Sequence, residues 1–174
     1  MFSQTRCDRC EAPESSFSLC HLQTHFHHVL AVCEQVACGR RCLSKEACEG
    51  QFSRMLQLCK VTKHLFISNA RSVCSDELIQ QEAVTLCINV SKQQPFPSAG
   101  IKKLQVPIYD DIPNEDLYGH FDRCADAIQK EANRGGRSVV YCKNGRSRSA
   151  TVCIAYLMKH RKLTLTDALQ VGDV

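Results

Sequence analysis

The sequence predicts an α/β fold, with a mainly parallel central sheet flanked by helices. Three observations predict it. From Met55 onward, short apolar runs rich in β-branched residues alternate with amphipathic stretches. One run, Val84–Val90 (VTLCINV), is almost continuously apolar, which is the pattern of a strand buried on both faces. Capping residues, prolines and glycines fall between the runs.

The elements follow in order. His64–Ser68 reads as a short apolar strand, after which Asn69 begins a turn. Ser75–Gln81 opens with Ser75, Asp76 and Glu77, and acids there suit the positive end of a helix. Val84–Val90 is the buried strand. Gln93–Gly100 carries Pro95, Pro97 and Gly100 and is a loop. Ile101–Tyr109 reads as another strand. Asn114–Arg134 is a long amphipathic helix, with Leu117, Phe121, Cys124, Ala125 and Ile128 on one stripe. Gly135 and Gly136 stop it. Ser138–Tyr141 (SVVY) is a short buried strand, and Ser149–Lys159 is a helix. Thr164 caps a last helix with Asp167 at its third position. In such sheets ligands bind beyond the carboxyl ends of strands, and the segment 142–148 leaves the end of SVVY and enters a helix.

Composition narrows the function. The chain has 174 residues, 44% hydrophobic and 23% charged, enough for one domain of ordinary size in a soluble globular protein. No apolar run approaches the ~20 residues that span a bilayer. The first ten residues are polar and lack a signal-peptide core, so a cytoplasmic or nuclear location is expected. The net charge of +4 is too small to argue for nucleic acid. Thirteen cysteines are unusual, and seven of them precede Met55. Residues 1–54 show weak periodicity, with one short helical stretch around His28–Val36, and read as a separate, poorly structured Cys/His-rich extension, disordered or non-native to the domain. They hold a single CxxC pair, Cys7 and Cys10, and no second pair completes a zinc finger. Residues 55–174 read as the functional domain, with no metal or cofactor called for.

The chemistry concentrates at Val140-Tyr141-Cys142-Lys143-Asn144-Gly145-Arg146-Ser147-Arg148-Ser149. Between a strand and a helix, the backbone N–H groups of residues 143–148 can curl around one tetrahedral anion, and the helix N-terminus adds positive potential. Gly145 supplies the backbone freedom. Arg148 can clamp two phosphate oxygens at once. Lys143, Asn144, Arg146 and Ser147 complete the cradle. Cys142 sits at its base, where that field favours thiolate, and a thiolate there can attack phosphorus. Ser149 can hydrogen-bond the sulfur as it leaves. A buried cysteine is ordinarily inert, but Gly145, Arg148, Ser149 and the flanking strand and helix agree on phosphate chemistry. The leaving oxygen needs a proton donor, and Asp110 and Asp111 follow the strand in a loop before the long helix.

The Cys142–Ser149 motif, VPIYDD at 106–111 and AYLM at 155–158 resemble the dual-specificity protein phosphatases, in particular their atypical members. The resemblance runs from about Leu56 to Leu169. It implies a cysteine-phosphatase fold, Cys142 as nucleophile, Arg148 as phosphate clamp and Ser149 as helper in breakdown of the phosphocysteine. It implies phosphoprotein substrates, with phosphoserine and phosphothreonine admitted beside phosphotyrosine. Counted from the strand, the family's acid falls on Asp110; counted back from Leu117 and Phe121 it falls on Asp111. The strand register favours Asp110.

The chain departs from the family pattern in three places. Tyr141 stands where most members have His, which implies a less readily ionised thiol and a slower enzyme. The family domain continues past residue 174, so its C-terminal helices are expected to be truncated here. Residues 1–54 have no counterpart. A phosphate-binding protein without turnover is the rival reading, and a phosphoinositide or RNA phosphatase is a third. A sulfurtransferase would not require Arg148-Ser149 or an upstream aspartate loop.

Overall fold

The computed structural model describes residues 56–109 and 116–171. Their elements are β1 (Cys59–Thr62), β2 (Leu65–Asn69), α1 (Ala70–Val73), α2 (Asp76–Gln81), β3 (Leu86–Asn89), β4 (Lys102–Gln105), a 3-10 turn (Tyr118–His120), α3 (Phe121–Asn133), β5 (Ser138–Cys142), α4 (Arg148–Arg161) and α5 (Leu165–Val171). The five strands form one sheet in the order β1-β2-β5-β3-β4. β2, β5, β3 and β4 pair in parallel, and β1 is antiparallel to β2. The expected mainly parallel α/β architecture is therefore present. The extension 1–54 with its helical stretch at 28–36, and the acid candidates Asp110 and Asp111, lie outside the described residues.

Alternation along the strands divides the interior into two cores. β5 sends Val140 and Cys142 into the larger core, with Leu65, Ile88, Phe121, Ile128, Val152 and Tyr156. It sends Val139 and Tyr141 into the smaller core on the other face, with Phe66, Val73, Ile79 and Cys87. All five residues of β5 are buried, as a central strand covered on both faces requires. Each such valine contributes about 1.5–3 kcal/mol relative to leaving it exposed. The stripe Leu117, Phe121, Cys124, Ala125 and Ile128 is buried along its length, and α3 packs on α4 over the larger core.

Several boundaries differ from the sequence expectation, each for a physical reason. β1 went unread because its burial is mixed and it carries Lys60. α1 replaces the expected turn: the Asn69 side chain accepts from Ser72 N at 2.8 Å and caps one helical turn. β4 ends at Gln105 rather than Tyr109. Beyond it Val106 N–H donates to Asn89 O at 2.8 Å, Ile108 N–H turns back to Val106 O at 2.8 Å, and Pro107 between them has no N–H to give. The long helix begins at Phe121, after the 3-10 turn. It stops as expected, with Gly135 at φ +77°. α4 runs from Arg148 to Arg161, longer than Ser149–Lys159. The Thr164–Asp167 cap is present, with Asp167 N–H donating to Thr164 Oγ1 at 3.1 Å. β4 is the outer strand, with Lys102 and Lys103 exposed, and Lys102 Nζ pairs with the buried Glu131 of α3 at 2.8 Å. Among the described residues, no helix is long and apolar enough to cross a membrane.

Candidate active site

β5 lies between β2 and β3, so its last residue, Cys142, sits at the middle of the sheet's carboxyl edge. This is where an α/β sheet offers room for a ligand. Residues 143–147 then bend, and α4 starts at Arg148.

Cys142 is 1% exposed, and its Sγ lies 3.3 Å from the hydroxyl of the fully buried Ser149. Cys142 and Ser149 are seven residues apart, and the loop between them folds back to bring sulfur and oxygen together. Either atom of this pair can donate, so the Ser149 hydroxyl is within reach to hydrogen-bond the sulfur.

The loop is seated on β2. Gly145 has φ +72°, and a Cβ there would lie 2.6 Å from the carbonyl carbon and oxygen of Ser68 and 2.8 Å from Asn69 N. Both the backbone angle and the space exclude a side chain. Ser147, read from sequence as part of the phosphate cradle, holds the helix start through its carbonyl. That carbonyl accepts from Thr151 N at 3.0 Å and Thr151 Oγ1 at 3.0 Å. The Ser147 side chain makes no capping bond to the amides of the first turn of α4. Lys143 and Asn144 are exposed, while Arg146, Ser147 and Arg148 are half-buried. The structure thus places Cys142 at the end of β5, residues 143–147 in the bend and Arg148 and Ser149 in the first turn of α4.

Tyr141 points to the opposite face from Cys142. Its hydroxyl donates to Pro95 O at 2.8 Å, and its ring meets Phe96 edge-on with centroids 6.3 Å apart. Beside it Asn89 Nδ2 donates to Gln94 O at 2.8 Å, so two neighbouring strands hold consecutive carbonyls of the 93–100 loop. Burial pushes the Tyr141 hydroxyl well above its usual range, and it is a neutral donor. Two other buried thiols fit the inert description: burial pushes Cys87 and Cys124 each up to about 12. Sequence reasoning did not find the backbone seat at Ser68–Asn69 or the grip of Thr151. Only the threonine four residues after Ser147 offered a signal.

The family described as dual specificity phosphatase, catalytic domain, matches residues 65–171. The chain belongs to the dual specificity phosphatase family. It is similar to human dual specificity phosphatase 28, with 49% identity over 115 residues, covering 66% of this chain and 65% of that protein. The mouse dual specificity phosphatase 28 is 50% identical over 113 residues, covering 64% of this chain and 69% of that protein. The chain therefore spans just under two thirds of the human relative's length. Among solved structures, human dual specificity phosphatase 28 superposes with a TM-score of 0.63 at 47% identity, covering 66% of this chain and 78% of that one. A mouse putative dual specificity phosphatase complexed with zinc tungstate gives 0.63 at 44% identity, covering 69% and 76%. These dual specificity phosphatase structures have the cysteine-phosphatase fold, and the mainly parallel sheet with Cys142 at its carboxyl edge is this chain's version of it.

Proposed function

We propose that the chain hydrolyses phosphomonoesters on phosphotyrosine and phosphoserine or phosphothreonine proteins through a phosphocysteine on Cys142. The observation that carries the reading is the 3.3 Å approach of Cys142 Sγ to Ser149 Oγ beneath a loop that leads into a helix N-terminus. The mouse relative whose structure holds tungstate supports it, since tungstate is a tetrahedral oxyanion of the phosphate kind.

In this reading the loop amides and the Arg148 guanidinium hold the phosphoryl oxygens, and Lys143 and Arg146 add positive field. The Cys142 thiolate attacks phosphorus in line with the leaving oxygen. The P–O bond breaks as Asp110 or Asp111 gives that oxygen its proton. A water then attacks the phosphocysteine, the aspartate takes back a proton, and inorganic phosphate leaves. The Ser149 hydroxyl donates to the sulfur as negative charge returns to it.

Hydrolysis of para-nitrophenyl phosphate by the full chain tests the proposal. Steady turnover that falls to background in Cys142→Ser supports it. Turnover that survives Cys142→Ser removes the thiol from the mechanism.

One observation favours a phosphate-binding protein that turns over slowly. The Tyr141 side chain is committed to Pro95 on the far face and is neutral, so residue 141 adds no positive charge behind the thiol. Tight phosphopeptide binding with no measurable hydrolysis of the aryl ester would select that reading.

A further inference from the structure

The only large apolar side chains well exposed among the described residues are Leu56 and Tyr109. Leu56 precedes β1, whereas Tyr109 lies past the end of β4, on the carboxyl edge that also bears the Cys142 loop. Lys92 reaches across to Tyr109. Its Nζ lies 2.5 Å from the Tyr109 hydroxyl and 4.2 Å from the ring centre.

The backbone places this pair relative to the thiol. Val90 N–H donates to Tyr141 O at 2.8 Å, which ties the end of β3 to the residue before Cys142. Lys92 N–H donates to Ile108 O at 2.8 Å, which ties the segment after β4 to the segment after β3. Lys92 is therefore one strand away from Cys142 and Tyr109 is two strands away. Neighbouring strands are about 4.8 Å apart, so the pair lies about 5–10 Å along the edge from the thiol's strand. An extended peptide advances about 3.4 Å per residue, so two to three residues cover that span.

Lys92 is exposed, and among the described residues no carboxylate neutralises it. A single ammonium on an aromatic face suits one acidic side chain, with the neighbouring peptide lying on the ring. A polyphosphorylated lipid headgroup calls for a cluster of cations instead.

Resting on the phosphatase reading above, we infer that Lys92 and Tyr109 select substrates. The Lys92 ammonium pairs with an acidic side chain two to three residues from the phosphorylated residue, while that segment lies across the Tyr109 ring.

The test uses the full chain and two phosphotyrosine peptides that differ at one position, three residues from the phosphotyrosine, with Asp in one and Lys in the other. Wild type is expected to favour the Asp peptide in kcat/KM by about fivefold, the upper range of an exposed ion pair. The preference shrinks as salt is added. Lys92→Glu reverses the preference toward the Lys peptide, and Lys92→Gln, which keeps the side-chain stem over the ring, abolishes it. A ratio between peptides is insensitive to a general loss of folded enzyme. Equal kcat/KM for the two peptides in wild type, or a preference that survives Lys92→Glu, overturns the inference. Preferred turnover of phosphatidylinositol phosphate in vesicles over both peptides overturns it in favour of a lipid headgroup. Para-nitrophenyl phosphate reports separately on the phosphatase reading. If it is not hydrolysed, affinity of Cys142→Ser for the same two peptides decides the contact, with equal affinities overturning it.

Discussion

At the scale of single residues, the site depends on one missing atom as much as on the thiol. Gly145 brings the loop within backbone contact of Ser68, at a φ that other residues adopt only at a cost of about 1 kcal/mol. Gly145→Ala is expected to displace the loop, because its Cβ would meet main-chain atoms that cannot rotate away. A displacement of about 1 Å at a reacting centre costs about a hundredfold in rate. The variant should therefore lose kcat/KM for para-nitrophenyl phosphate by about that factor while its thermal midpoint moves by only a few degrees. Retention of most activity would show that the loop does not need this seat. The residues of 142–149 were legible because their chemistry is contiguous: a nucleophile, a flexible glycine, a bidentate cation and a hydroxyl within eight positions. Their seat on Ser68 was not legible. It depends on β5 pairing with β2, more than seventy residues upstream.

At the scale of elements, β5 does two jobs on its two faces. Cys142 faces the larger core and the chemistry, and Tyr141 faces the smaller core and anchors the 93–100 loop. The effects of changing residue 141 therefore separate. Tyr141→Phe removes one buried hydrogen bond and leaves Pro95 O without its donor, an expected loss of about 1 kcal/mol in denaturant unfolding. It should leave the alkylation rate of Cys142 by iodoacetamide unchanged. Tyr141→His places a chargeable ring behind the thiol, and is expected to speed both alkylation near pH 6 and turnover. Equal alkylation rates in wild type and Tyr141→His would mean that the side chain behind the strand does not reach the sulfur electrostatically. The opposition of these two side chains could be read from period-two alternation, but the partner of Tyr141 could not, because Pro95 lies in a loop with no pattern of its own. Boundaries were read least well where short-range chemistry overrode periodicity, as at Asn69, whose amide caps α1, and at Pro107, which ends β4.

At the scale of the whole molecule, each core buries a thiol that stays protonated in the folded state. Cys87 lies in the smaller core and Cys124 in the larger, and burial pushes each from 9.0 up to about 12. Both ionise more readily in the unfolded chain than in the folded one. Folding is unaffected by them below pH 9.0 and is penalised progressively as pH climbs from 9.0 toward 12. Tyr141, pushed upward from 10.0, acts in the same direction. The urea midpoint is expected to hold steady from pH 7 to 9 and to fall above that. The fall should be shallower in a Cys87→Ala, Cys124→Ala protein, even though that protein starts from a lower midpoint because two small cavities open. A fall of equal steepness would place the alkaline sensitivity elsewhere. The α/β class and most of the parallel sheet were readable from VTLCINV and SVVY, since strands buried on both faces carry unbroken apolar runs. The antiparallel β1 was not, because a half-exposed edge strand has no such run. The other edge of the sheet bears on behaviour in a crowded solution. β4 is the outermost strand among the described residues, and an outermost strand presents backbone groups onto which a neighbouring molecule's strand can add. Lys102 and Lys103 stand exposed on it, and Lys102 is held in place by Glu131. Lys102 thus ties the sheet to α3 with its charge balanced by Glu131, while Lys103 leaves a positive charge on this edge, which disfavours addition of a neighbour's strand.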